Sequence, residues 1–191
     1  MKQIKPLKIK DLEIDYQIIH RKVKYPRLEI KTNVLYVIVP EYYDDAYELI
    51  VKHESWIYKN LYRNKKHQKL SEGLKLNLEL HEGELKNVVQ LMVEEISGEL
   101  DVSVGQVKFR RMKSRWGSCS SKGNLNFNYY LKFLPENLIE YIVYHEVSHL
   151  LEMGHNKRFW QIISQRYPNH KEIEEELSIY WLKVKDHVGI T

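Results

Sequence analysis

A chain of 191 residues suits one domain, or one domain with a small extension. Its apolar fraction of 43% is enough for a packed core, so a disordered chain is excluded as the default, and 30 basic against 26 acidic residues, a net charge of +4, do not by themselves imply nucleic acid. The single cysteine, Cys119, excludes an internal disulfide framework and points to a reducing compartment, the cytoplasm.

Met1 to Lys10 alternates charge with short apolar pairs and shows no apolar core of a secretory signal. No stretch approaches the roughly 20 apolar residues of a membrane span. Glu13–Arg21 and Arg27–Lys31 are rich in strand formers. Thr32-Asn33 breaks the run and Val34–Val39 continues it up to Pro40, a hairpin signal. Asp44 and Asp45 are candidate caps for a helix to about His67, with Leu49, Ile50, Trp56, Ile57 and Leu61 on its apolar side. The basic run Arg63, Lys65, Lys66, Lys69 is expected to end that helix, where the dipole favours it. Ser71–His81 carries no clear signal.

A second helix is expected from Glu84 to about Gly98, with Leu85, Val88, Val89, Met92 and Ile96 at helical spacing. Val107 and Phe109 open a strand, and residues 114–124 form a turn-rich connection. From Leu125 to Phe133 apolar residues alternate with Asn126, Asn128, Tyr130 and Lys132, which predicts a strand with one apolar face. Pro135 fits the first turn of a helix running to about Met153, with Gly154 as its stop. Asn156 caps a helix through Phe159, Trp160, Ile162 and Ile163, ended by Pro168, and a last helix spans about Asn169 to Lys185. The order of elements predicts an α+β fold. Residues 1–70 are expected to form an N-terminal β hairpin plus helix, and residues 71–191 the α+β core.

Residues 145–149 read HEVSH. Two histidines four apart on a helix project from one face and can share one ion, and neutral imidazole is a good zinc ligand. Glu146 lies beside such an ion, where a carboxylate can take a proton from water and return it to a leaving group. Leu138, Ile139, Ile142, Val143, Val147, Leu150 and Leu151 define a buried arc, with His145 and His149 at its edge beside Tyr141, Ser148 and Glu152. A catalytic zinc takes three protein ligands and keeps one position open. His155, just past Gly154, is the expected third ligand. Glu152, His170, Glu172, Glu174, Glu175 and Glu176 are the alternatives. Cys119 is read as a structural residue beside a tight turn rather than a ligand. Trp160 is expected to steady His155 by packing behind it.

The words RRMKSRWGSCSSKGNLNFN and FLPENLIEYIVYHEVSHLLEMGHNKRFW, from Lys108 to Trp160, closely resemble the YgjP-like metal-dependent hydrolases, a zincin-type family with SprT-like proteases as more distant relatives. The resemblance implies zinc, one per chain, on His145, His149 and His155, with Glu146 as catalytic acid and base. It also implies a compact zincin-like core, a small twisted sheet packed on the HExxH helix. Residues 71–83 lack the strand-rich insert expected between the two halves of such proteins.

Three readings of the substrate follow. In the first, the partner is a peptide or protein, laid along a free strand edge at Asn126 and Asn128. Tyr141, Tyr144 or Arg115 would be the oxyanion donor, although both tyrosines read more simply as helix surface. In the second, Arg110, Arg111, Lys113, Arg115 and Lys122 clamp a nucleotide or other phosphorylated small molecule. In the third, the same cluster binds nucleic acid. No membrane partner is expected.

Overall fold

A computed structural model describes residues 4–31 and 34–190. The chain is α+β and divides into two compact units, residues 1–70 and 71–191.

The first unit holds a four-stranded mixed sheet in the order β1-β2-β4-β3, made by β1 (Lys5–Ile9), β2 (Leu12–His20), β3 (Arg27–Lys31) and β4 (Val34–Val39). The expected hairpin is β3 and β4, antiparallel from Lys31 opposite Val34, and its Thr32-Asn33 turn lies outside the described residues. Two features escape the sequence reading. β1 is a strand, joined to β2 through Lys10 and Asp11 with Lys10 at φ 55°, and β2 runs parallel to β4. β1 buries Leu7 and Ile9 while Lys5 and Lys8 stay exposed, and a short lysine-bearing strand is a common guard for a sheet edge. Leu35, Val37 and Val39 alternate into the core against Ile50, Ile57 and Leu61.

The long helix expected to end near His67 is two helices. α1 (Ala46–Lys52) starts where Asp45 accepts from the Glu48 N–H at 2.9 Å, and α2 runs from Glu54 to Gly73. His53, at φ −110° and ψ 18°, leaves helical geometry between them. Because α2 continues to Gly73, Arg63, Lys65, Lys66 and Lys69 lie within it, and its last turn carries no base. Trp56, assigned to the apolar side, is exposed.

The second unit contains α3 (Glu82–Glu99), β5 (Val107–Arg110), β6 (Gly117–Cys119), β7 (Leu125–Asn128), a 3-10 turn (Tyr129–Phe133), α4 (Glu136–Ser148), α5 (Lys157–Arg166) and α6 (His170–Val188). No strand occurs among residues 71–83. The His81 N–H donates to the Glu84 carboxylate at 3.0 Å and so starts α3. The three strands form a sheet in the order β5-β7-β6, with β7 parallel to β5 and antiparallel to β6.

The strand predicted to reach Phe133 stops at Asn128, and the next five residues wind into the 3-10 turn. Asn128 causes the stop. Its side chain is fully buried, donates to Met112 O and Arg115 O at 2.8 Å each, and accepts from the Tyr130 N–H at 3.2 Å. A short polar side chain that satisfies nearby backbone groups competes with the ladder. Leu131, Phe133 and Leu134 are still buried, so the apolar pattern holds while the backbone changes. Asn128→Ala removes the side-chain donor from two part-buried carbonyls and should cost about 1–3 kcal/mol of unfolding free energy. Urea denaturation measures this, and a loss under about 0.5 kcal/mol, the scale of an ordinary surface change, would contradict the role given to this side chain.

α4 is buried on nearly every side. Leu138, Ile139, Ile142, Val143 and Val147 lie in the core as the arc predicts, but so do Tyr141, Tyr144 and Ser148, which the sequence placed on a polar side. Leu151, from the same arc, is exposed. The helix ends at His149, earlier than the predicted Met153, and tightens through Leu150 N–H to Val147 O and Leu151 N–H to Ser148 O. Gly154 therefore does not stop the helix. It adopts no positive φ, and a Cβ placed on it would meet nothing within 4 Å. Arg166, at the end of α5, binds Glu99 of α3 and Glu140 of α4 and so ties three helices together.

Candidate metal centre

His145 and His149 come from the end of α4, and His155 from the irregular segment that turns back before α5. The turn succeeds because Asn156 caps α5, accepting from the Arg158 and Phe159 N–H groups at 2.9 and 3.2 Å. One nitrogen from each of His145, His149 and His155 lies within 4.8 Å of the other two, and His145 Nε2 and His155 Nε2 are 2.9 Å apart. Beneath them is Phe159, wholly buried, with its ring centre 4.9, 4.5 and 4.8 Å from those of His145, His149 and His155. This shared aromatic floor fixes the depth of all three imidazoles.

Each ring is also held from behind. His149 Nδ1 lies 3.1 Å from Glu152 O. The Trp160 indole N–H donates to His155 O at 3.1 Å, and its ring stacks on His155 at 5.8 Å, so Trp160 steadies that residue as expected. His145 Nδ1 faces Glu174 Oε1 at 3.7 Å, and that oxygen accepts from the Tyr141 hydroxyl at 2.7 Å. Burial, followed by the neighbouring His149 and His155, pushes His145 down to about 3, and burial likewise lowers His149. Both are therefore neutral near pH 7, the state in which imidazole offers a lone pair to a metal.

The donor set fits a divalent transition metal. It consists of three converging imidazoles, the borderline ligands that zinc favours. Among the described residues no fourth His, Cys, Asp or Glu joins the group. Three protein ligands with one position left over is the catalytic pattern, whereas structural zinc sites are closed by four.

Glu146 is 7% exposed and lies against β6. The Cys119 N–H donates to its carboxylate. Gly117 leaves room for it, since a Cβ there would sit 2.6 Å from Glu146 Oε1 and 2.7 Å from its Cγ. Burial pushes the Glu146 carboxyl up to about 8, while Arg115 draws it down. The three histidines and Glu146 open into a cleft of about 640 Å³ that Arg115, Gly117, Cys119, Leu177 and Trp181 help to line.

The other predicted substrate residues fare differently. β7 is the central strand, so Asn126 and Asn128 present no free edge, and Asn128 is spent on the 112–115 loop. The sheet's edges are β5 and β6, and β6 is the one that lines the cleft. Asn128 N–H bonds Trp116 O and Ser120 N–H bonds Asn124 O, so residues 116, 118 and 120 face β7. Gly117 and Cys119 accordingly turn their main-chain groups toward the cleft. Of Arg110, Arg111, Lys113, Arg115 and Lys122, only Arg115 lines the cleft, and Arg111 is paired with Glu82 of α3. Of the expected oxyanion donors, Tyr144 is buried against Ile162 O and Tyr141 gives its hydroxyl to Glu174. Neither is helix surface. His170 stacks on Trp160 and stays out of the histidine group, as does Cys119, whose thiol burial pushes up to about 11.

Gly117 and Phe159 were not legible as site residues, and Glu174 was named only among the alternative ligands. Gly117 reads as a turn former, Glu174 as one glutamate among four on a helix, and Phe159 as an ordinary core residue. Only the fold brings them to the histidines.

The family described as YgjP-like, metallopeptidase domain, matches residues 63–180. Two solved structures are similar. The metallopeptidase zymogen of Pyrococcus abyssi abylysin is 25% identical with a TM-score of 0.43, over 47% of this chain and 90% of its own. The metallopeptidase zymogen of Methanocaldococcus jannaschii jannalysin is 26% identical with a TM-score of 0.42, over 48% and 87%. No curated protein matches.

Proposed function

Since the chain belongs to the YgjP-like metallopeptidase-domain family, we propose that it hydrolyses peptide bonds at a single zinc ion held by His145, His149 and His155, with Glu146 as general base. The observation that carries this reading is the convergence of three imidazoles beside a buried carboxylate, in a cleft bounded by a free strand edge. Residues 71–191 are assigned the chemistry, and residues 1–70 are an N-terminal extension. Action in the cytoplasm is part of the same proposal, on the ground that lone Cys119 has no internal disulfide to form. No helix among the described residues is long and apolar enough to cross a membrane.

Zinc in such a triad polarises a carbonyl and lowers the pKa of water. The remaining steps belong to the chain. An extended peptide pairs with the main-chain groups of Gly117 and the Cys119 carbonyl along the outer edge of β6, while the Cys119 N–H stays on Glu146, and this draws its scissile carbonyl over the histidines. Glu146, oriented by the Cys119 N–H, takes a proton from the attacking water and delivers it to the departing nitrogen. Arg115 favours the ionised carboxylate, opposing the effect of burial, and a bound dication would act in the same direction. Arg115 is also the remaining candidate to stabilise negative charge on the substrate. A phosphate clamp would need several bases at the cleft, and Arg115 stands there without the other four.

The test is metal analysis joined to an activity panel of unfolded proteins, peptides and nucleotides. One zinc per chain and release of peptide fragments are expected, with His145→Ala and His149→Ala each losing the metal. Release of phosphate from nucleotides without peptide cleavage would overturn the substrate class, and a His149→Ala variant that binds zinc like the parent would overturn the site.

A further inference from the structure

The three imidazoles are not anchored in the same way. His149 leans on a main-chain carbonyl, and His155 is held through its own carbonyl by Trp160. His145 alone faces a carboxylate, that of Glu174 on α6, a helix that contributes nothing to the histidine group itself. We propose that Glu174 is a positioning residue: fixed by the Tyr141 hydroxyl, its carboxylate holds the His145 ring with Nδ1 protonated and Nε2 turned toward the other two histidines. This inference rests on the metal-centre reading and adds a residue to it.

The geometry supports the role from both ends of the ring. His145 Nε2 points to His155 Nε2 at 2.9 Å, and on the opposite edge Nδ1 lies 3.7 Å from Glu174 Oε1. A neutral imidazole carries one proton, so an acceptor beside Nδ1 favours the tautomer that leaves the Nε2 lone pair free. At 3.7 Å the contact is an electrostatic bias rather than a formed hydrogen bond. It acts from a fixed point, because the same oxygen accepts from Tyr141, whose side chain is 1% exposed and whose hydroxyl is 2.7 Å away. Tyr141 precedes His145 by one helical turn on α4. The carboxylate thus registers α6 against the ligand-bearing face of α4. A carboxylate behind a ligating histidine fixes the ring and raises its donor strength.

Glu174 also gives the buried Tyr141 hydroxyl its partner, so a purely structural role must be separated from a positioning one. Zinc affinity is measured by chelator competition on the full chain for the parent, Glu174→Ala, Glu174→Gln, Tyr141→Phe and His145→Ala, with thermal midpoints of the zinc-free forms. Glu174→Ala should weaken zinc binding about 10–100-fold. Glu174→Gln, which keeps an oxygen for Tyr141 and for Nδ1–H, should recover part of that loss. Tyr141→Phe should weaken zinc in the same direction by less. A Glu174→Ala protein that melts lower without zinc yet binds zinc as tightly as the parent overturns the proposal. So does a loss as complete as that of His145→Ala, which would make Glu174 a ligand. If Glu174→Ala does not fold, unchanged affinity in both Glu174→Gln and Tyr141→Phe overturns it. Unchanged affinity in His145→Ala would instead sink the metal centre itself.

Discussion

Glu146→Gln should bind one zinc per chain and lose turnover by about 10²–10⁴-fold, the scale of a general base removed from its reaction. Gln matches the shape of Glu and can still accept from the Cys119 N–H, so the variant keeps the packing against β6 and lacks only a group that can take a proton. The fold should not suffer. Burial already disfavours the charged form of this carboxyl, and a neutral amide relieves that burden. The decisive measurement is kcat on a peptide substrate alongside zinc content. A drop in kcat with zinc retained fits the assignment, and full activity in the variant would remove Glu146 from the chemistry.

Gly117→Ala should leave zinc bound and lower kcat by about 10²-fold, the effect of misplacing a catalytic group by roughly an ångström. Backbone conformation does not demand glycine at this position, since among the described residues only Gly123 and Gly189 have positive φ for that residue type. The constraint is space. The added methyl would approach Glu146 Oε1, Cγ and Cδ to 2.6, 2.7 and 2.8 Å, distances that no relaxed structure keeps. One side must move, and β6 is held by β7 while Glu146 is anchored on buried α4. The overpacking should cost about 1–3 kcal/mol of stability. Gly154→Ala is the matched control, because its new Cβ meets nothing within 4 Å. Equal kcat for Gly117→Ala and Gly154→Ala would show that the glycine does not set the position of the base.

The histidine group was legible because its geometry is local: a helix places His145 and His149 on one face, and a short return of the chain offers His155. Chain order likewise gave the helices near the site, through Asn156 as a cap and Pro168 as a breaker. What failed depended on partners distant in sequence. The strand at Leu125 ends at Asn128 because that side chain bonds the loop at Met112 and Arg115, and alternation of apolar residues carries no trace of it. The free edge was assigned to β7, which is central, and the edge at the cleft is that of β6, since strand order is not written in any one strand. Tyr141 and Ser148 were placed on a polar side because a hydroxyl reads as polar, yet Glu174 and the Tyr144 carbonyl accept their hydrogen bonds within the unit. The parallel pairing of β2 with β4 was hidden for the same reason.

The two halves of the histidine group differ in how they can open. His145 and His149 ride on a helix enclosed by the core, whereas His155 is exposed on an irregular stretch between two helices. Amides in the middle of α4 should therefore exchange with solvent only through global unfolding, while those around Met153–Asn156 exchange through sub-global opening. An ion held by the three histidines would then leave when the exposed arm swings away, and the protein would be stripped and refilled while its core stays intact.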